Sequence, residues 1–192
     1  MIVTMSLDAF GSSGWEWLNE PKSWSVDDGL TVTADPDSDF WRKTHYGFIR
    51  DSGHLFGRRV EGDFTLTATF EGDYRDKYDQ AGVALHLDDA NWIKTGIELV
   101  DDVFYISAVV TREFSDWSVI PVASARRVTI AAERAGDTVT IRYGLDDDEP
   151  GTMLRLAYFP PAVQVLAGPT VAAPVGKGFR TRFERAEFSL PG

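Results

Sequence analysis

The chain has 192 residues, 43% hydrophobic and 12% aromatic, with six Trp and twelve Phe; this is enough apolar material for one core and excludes a disordered chain. It has no cysteine, which excludes disulfides, thiolate catalysis and cysteine-based zinc or iron–sulfur sites and fits a reducing cytoplasm. Thirty acidic against 19 basic residues leave a net charge of -11, which repels phosphate backbones and anionic lipids, so neither nucleic acid nor membrane is an expected partner, while a neutral ligand such as a sugar is unaffected.

In chain order, strand signals fall at residues 29–34, 64–70, 81–87, 92–100, 103–111, 127–133, 138–143, 153–159, 164–172 and 179–190. Turn chemistry separates them: Asp27-Asp28-Gly29, Glu61-Gly62-Asp63, Asp88-Asp89-Ala90-Asn91, Asp101-Asp102, Ala135-Gly136-Asp137 and the acidic run 146–151 tolerate positive φ or bond to the backbone locally. Pro160-Pro161, Gly168-Pro169 and Gly176-Lys177-Gly178 read as loop corners, because proline cannot donate into a central ladder. No segment sustains a helical period, and hairpin-length spacers leave no room for crossover helices. The prediction is therefore a single all-β domain over residues 1–192, a sandwich of two antiparallel sheets. No stretch reaches about 18 consecutive apolar residues, and residues 1–14 lack the charge and apolar run of a secretory signal, so a soluble cytoplasmic protein is expected.

Period two assigns the faces. In the 92–99 segment, Ile93, Thr95, Ile97 and Leu99 point to the core, and Trp92, Lys94, Gly96 and Glu98 share the opposite face. The preceding strand sends Ala81, Val83, Leu85 and Leu87 inward and Gln80, Gly82, Ala84 and His86 outward, and a hairpin around 88–91 sets the two polar rows side by side. Tyr105, Ser107, Val109 and Thr111 continue that face on a third strand. A lysine and a glutamate on such a face make either a solvated surface or a groove. A tryptophan there either stacks on a ligand, such as the apolar side of a sugar ring, or lies under a neighbouring loop.

Two further groups are read as loops. Phe114-Ser115-Asp116-Trp117-Ser118 joins polar groups to an aromatic plate, or caps a turn above a buried Trp. In Asp37-Ser38-Asp39-Phe40-Trp41 the aromatic pair is expected to anchor the loop in the core.

Taken in order, Asp39-Phe40-Trp41, Tyr78-Asp79-Gln80-Ala81-Gly82, Trp92-Ile93-Lys94-Thr95-Gly96-Ile97-Glu98 and Ser115-Asp116-Trp117-Ser118, followed by segments 155–159 and 168–174, resemble the DUF1349 family, which includes a fungal regulator of enolase. The resemblance spans nearly the whole chain. The acidic hairpin at 146–151 departs from it, being longer than the aspartate–glycine turn of the family pattern. What the resemblance implies is a concanavalin A-like lectin/glucanase jelly-roll with a concave face. Its blocks carry Gln80, Trp92, Lys94, Glu98, Ser115, Asp116 and Trp117.

The expected function is a noncatalytic, lectin-like carbohydrate-binding domain. Trp92 and Trp117 would stack on the ligand, and Gln80, His86, Lys94, Glu98, Ser107 and Asp116 would serve its hydroxyls. Lys94 is expected to keep Glu98 ionised as an acceptor. No paired-carboxylate run and no nucleophile elbow is present, and a single Glu98 does not make a glycosidase, since either stereochemical route needs two carboxyls. Two alternatives stand beside this reading: an enzyme processing a small sugar through Glu98, and a protein-interaction domain in metabolic regulation, with a protein partner. No cofactor and no metal site is expected, because the histidines His45, His54 and His86 show no ligand spacing.

Overall fold

The computed structural model describes residues 6–123 and 126–190, and among them there is no helix. Seventeen strands run in order: β1 (Leu7–Ala9), β2 (Ser12–Leu18), β3 (Ser23–Asp27), β4 (Gly29–Thr33), β5 (Phe40–Arg42), β6 (Ile49–Asp51), β7 (His54–Val60), β8 (Phe64–Gly72), β9 (Gln80–Asp88), β10 (Asn91–Val100), β11 (Val103–Arg112), β12 (Phe114–Val122), β13 (Val128–Ala135), β14 (Thr138–Leu145), β15 (Thr152–Tyr158), β16 (Val165–Ala172) and β17 (Arg180–Ser189). An eight-stranded sheet in the order β1-β2-β7-β16-β9-β10-β11-β12 packs on a seven-stranded sheet in the order β15-β14-β13-β8-β17-β4-β3. Every ladder within these sheets is antiparallel, which gives the all-β, concanavalin A-like sandwich.

The core lies between the sheets and is filled by the alternate residues that the sequence pattern assigns to it. Val83, Leu85, Ile93, Ile97 and Ile106 meet Leu66, Phe70, Ile130, Ile141 and Phe183, all essentially inaccessible to solvent. Each such side chain contributes about 1.5–3 kcal/mol when removed from water. In β8 the threonines face away from this layer; even there Thr69 is buried and its hydroxyl meets that of Thr129 at 3.0 Å.

The eight-stranded sheet is also covered on part of its other face. The hairpin β5–β6 lies over it and closes a second, smaller apolar cluster of Phe40, Trp41, Leu55, Ala84, Trp92, Val109 and Leu166. Strands beneath such a roof are buried on both sides: every residue of β16 is buried, as is β10 apart from its two ends. This is why β7, with the run His54-Leu55-Phe56-Gly57 wholly buried, shows no alternation and gives no strand signal in the sequence.

Two readings from the sequence are corrected. Residues 114–118 are not a loop but the first half of β12, paired throughout with β11. Gly168-Pro169 is not a corner: it lies inside the central strand β16, with Pro169 opposite Val83 of β9. The ladder towards β7 is interrupted there, with pairs at Ala167 and Thr170 but none at Gly168 or Pro169. The missing proline N–H is thus accommodated by a gap on one side of the strand.

Candidate functional site

The free part of the concave face is a cavity of about 170 Å³ beside the hairpin roof, lined by Gln80, Lys94, Glu98, Val109 and Trp117 from the sheet. Register builds this floor: Gln80 stands opposite Glu98, Ala84 opposite Lys94 and Gly82 opposite Gly96, while Lys94 faces Val109 and Gly96 faces Ser107 on β11. Trp117 of β12 is opposite Val109. One consequence of alternation is that Lys94 and Glu98, four residues apart, lie on the same side with Gly96 between them.

The walls come from elsewhere in the chain. Asp39, Trp41, Tyr46, Phe48 and Arg50 descend from the roof hairpin, Tyr78 precedes β9, and Pro174 and Val175 follow β16. Polar bonds close the roof on itself and join it to the sheet. Asp39 accepts from the Ser52 and Gly53 N–H groups at 2.9 and 2.7 Å, the Arg42 N–H donates to Ser115 Oγ at 2.9 Å, and Ser115 and Thr111 hydroxyls meet at 2.8 Å. The hairpin tip reaches across the cavity, where the Tyr46 and Tyr78 hydroxyls stand 3.4 Å apart.

The charges are arranged around Lys94. Its Nζ donates to Asp39 Oδ1 at 2.9 Å, with both side chains nearly enclosed. Glu98 is 7% exposed, and its Oε2 accepts from Trp117 Nε1 at 3.1 Å; the same indole N–H lies 3.2 Å from Ser107 Oγ. Burial holds the Glu98 carboxyl above the ordinary value of 4.5, and the Lys94 charge and the Ser107 and Trp117 hydrogen bonds oppose that rise without cancelling it. The Lys94 charge acts in the expected direction, favouring the ionised form of Glu98, but desolvation is the larger influence, and the Lys94 ammonium is itself bound to Asp39.

Of the eight residues singled out in the sequence, Gln80, Lys94, Glu98 and Trp117 line the cavity, and Ser107 lines a smaller neighbouring pocket that shares Gln80, Lys94 and Glu98. Three lie elsewhere. Trp92 is on the same sheet face but only 1% exposed, packed under Phe40 at 5.7 Å between ring centroids; covered by the roof, it cannot stack on a ligand. His86 stands opposite Trp92 and 6.0 Å from Phe40, outside the cavity lining; burial lowers its pKa from 6.5. Asp116 neighbours Trp117 on a strand, so it points the other way and pairs with Arg155 at 3.1 Å.

Asp39, Trp41, Tyr46, Phe48, Arg50, Tyr78 and Val175 complete the site and carry no periodic signal. For Asp39, Trp41 and Tyr78 the sequence does offer one cue, since they belong to the first two family blocks.

The fold and the site together define a class: a concanavalin A-like β-sandwich with an aromatic-walled pocket on its concave face. The model of the DUF1349 family, whose function is described as unknown, matches residues 17–191, and the chain belongs to that family. It is 35% identical over 179 residues to the Regulation of enolase protein 1 of Saccharomyces cerevisiae, covering 91% of this chain and 89% of that one. A solved structure of a functionally unknown protein from Saccharomyces cerevisiae, also 35% identical, superposes with a TM-score of 0.88 over 93% of this chain and 97% of that one. A carbohydrate-binding module from Bacillus subtilis shares the fold at 16% identity and a TM-score of 0.56, over 92% and 95% of the two chains.

Proposed function

We propose that this protein binds a small carbohydrate in the pocket between Trp117, Trp41 and the Lys94–Asp39–Glu98 group. The observation that carries this reading is the combination of aromatic walls with polar groups fixed at the floor. Aromatic rings cover the apolar faces of a sugar, and Gln80, Lys94 and Glu98 supply donors and acceptors for its hydroxyls. The pocket is smaller than the ~300 Å³ at which drug-sized sites begin. A single sugar unit or chain end suits it better than the middle of a long glycan. Trp117, 37% exposed with its N–H held by Glu98 and Ser107, is the plate. Its orientation is fixed before the ligand arrives, so little order has to be gained on binding.

The regulatory name of the yeast relative fits a protein whose sugar occupancy is read by a protein partner, and the absence of cysteine fits action in the cytoplasm. A second reading, turnover of a small sugar, is favoured by one observation: Glu98, held above the usual carboxylate value, shares the cavity with a second carboxylate, Asp39.

The test is binding of a panel of mono- and oligosaccharides by calorimetry and ligand-observed NMR, with wild type and Trp117→Ala compared. Saturable binding by wild type, weakened about tenfold or more in the variant, supports the reading. Equal binding by the two proteins, or none by either, removes it. Product formation abolished in Glu98→Gln, with the fold intact, transfers the site to the enzyme reading.

A further inference from the structure

Arg50 brings to this cavity a charge that no carboxylate among the described residues balances. It stands on β6, and its Nη1 donates to the Pro174 carbonyl at 2.9 Å. Its guanidinium lies over the Phe48 ring, 4.9 Å from the centroid, and that hydrogen bond is the only one its side chain makes among the described residues. The contrast with the other cation of the lining is direct. Lys94 is matched by Asp39 at 2.9 Å, whereas Arg50 takes part in no ion pair among the described residues. The remaining carboxyl of the pocket, Glu98, is bonded to the Trp117 indole at the floor.

In a chain of net charge -11, an unmatched guanidinium beside an apolar pocket is a local site of attraction for anions. A guanidinium is a planar fork of five donors, so with one spent on Pro174 it can still grip both oxygens of a carboxylate. The aromatic ring behind Arg50 fixes its plane and limits its hydration, which strengthens such a bond. A phosphate dianion would ask for a second positive group, and the only other cation in the lining is already neutralised.

Resting on the carbohydrate reading above, we propose that the preferred ligand is an acidic sugar, a hexuronic acid unit, whose carboxylate is held by Arg50 while its ring lies against Trp117 and its hydroxyls face Gln80 and Glu98. Arg50 is then the residue that sets specificity, and the floor of the pocket supplies sugar recognition common to acidic and neutral ligands.

The experiment is calorimetric titration of the full chain with D-glucuronate and D-galacturonate, with the methyl glycosides of the matching neutral sugars, and with glucose 6-phosphate, repeated for Arg50→Gln. The expected result is a uronate bound about tenfold or more tightly than its neutral counterpart, the worth of one charge-assisted contact. That gap should narrow with added salt and close in Arg50→Gln. Equal affinity of wild type for uronate and neutral sugar overturns the inference and leaves sugar binding standing. So does tighter binding of glucose 6-phosphate than of either uronate, or a gap that survives in Arg50→Gln. Failure of every sugar to bind overturns both this inference and the reading it rests on. The wild-type comparison is decisive even if the variant folds poorly through loss of the Pro174 bond.

Discussion

Lys94 Nζ meets Asp39 Oδ1 at 2.9 Å, joining the middle of β10 to a roof segment 55 residues earlier in the chain. Both groups are nearly enclosed, so neither can recover water if its partner is removed. Breaking a buried pair from one side leaves an uncompensated charge and costs about 3–5 kcal/mol, although the intact pair can contribute little net stability. Lys94→Met is therefore expected to lower unfolding stability by roughly 3 kcal/mol. Adding Asp39→Asn to it should cost less than the sum of the two single changes, because the second removes the orphaned charge. Urea unfolding of the four proteins checks this, and strictly additive losses would show that the pair is not coupled.

The indole of Trp117 gives its N–H to Glu98 Oε2 at 3.1 Å, and that bond is one of the influences restraining the upward shift of the carboxyl. Trp117→Phe keeps an aromatic plate and deletes the donor. The expected outcome is a Glu98 carboxyl that titrates higher than in wild type, followed by carbon-detected NMR of the side-chain carboxyl. A Glu98 titration unchanged or lowered in Trp117→Phe would sink the assignment of the indole as its hydrogen-bond donor.

The same carboxyl makes stability depend on pH in a defined direction. Burial raises the folded value of Glu98 above its ordinary 4.5, so between the two values the folded chain holds more protons than the unfolded one. Stability contributed by this group is fully present below 4.5 and is lost as pH rises through the folded value. Glu98→Gln is neutral at every pH and loses nothing over that window. Wild type minus variant is the quantity to measure, since the other titrating groups cancel in the difference. The variant should gain on wild type as pH rises from about 4 to neutrality, and a difference that is flat, or grows in the opposite sense, contradicts the proposed burial of the charge.

The sandwich and the floor of the site were legible because both depend on period-two alternation. The odd positions of β9 and β10 go to the core, and Gln80, Lys94 and Glu98 go to one shared face, a consequence of strand geometry that short turns preserve across the hairpin. The roof was not legible. Asp39, Tyr46, Phe48 and Arg50 belong to a short hairpin whose placement is set by packing of Phe40 on Trp92, a relation between distant segments that leaves no periodic trace. For Trp92 the sequence offered stacking or loop cover, the expected function took stacking, and the Phe40 ring packed over it decided for cover. For Asp116 the error was one of element type. Read as a loop, Asp116 and Trp117 can act together; as neighbours on β12 they must face opposite ways.

Trp92 then becomes a test of architecture rather than of binding. With Trp41 it is one of the two largest side chains of the cluster under the roof, and from the sheet it packs against Phe40 of the hairpin. Trp92→Ala is expected to cost about 3–5 kcal/mol through the cavity it leaves, and to loosen the hairpin before the main core. Hydrogen exchange should show this as faster exchange of the Arg42 amide, which is bonded to Ser115 Oγ, with β8 and β13 still protected. Unchanged protection at Arg42 alongside a stability loss under 1 kcal/mol would mean that the roof does not depend on this tryptophan.

The floor sets the last prediction. Gly82 and Gly96 stand opposite each other on β9 and β10, between the positions of Lys94 and Glu98, and their lack of side chains lets the strands approach closely. A Cβ at Gly96 would fall 2.0 Å from the Ala81 carbonyl oxygen and 2.6 Å from the Gly82 Cα. Both are backbone atoms, which cannot rotate away as a side-chain tip would, so Gly96→Ala has to part the strands. A loss of about 1–3 kcal/mol is expected, the usual range for forced overpacking, and the register that sets Gln80 against Glu98 is disturbed with it. Sugar affinity should therefore fall in Gly96→Ala even though no ligand-facing group has been removed. Gly136→Ala supplies the control: a Cβ there meets nothing within 4 Å, and although its φ of +57° makes the substitution locally strained, it lies in a turn of the opposite sheet. Gly136→Ala should lose some stability and keep full affinity, and if Gly96→Ala also binds as wild type does, the close approach of β9 and β10 is not what shapes the pocket floor.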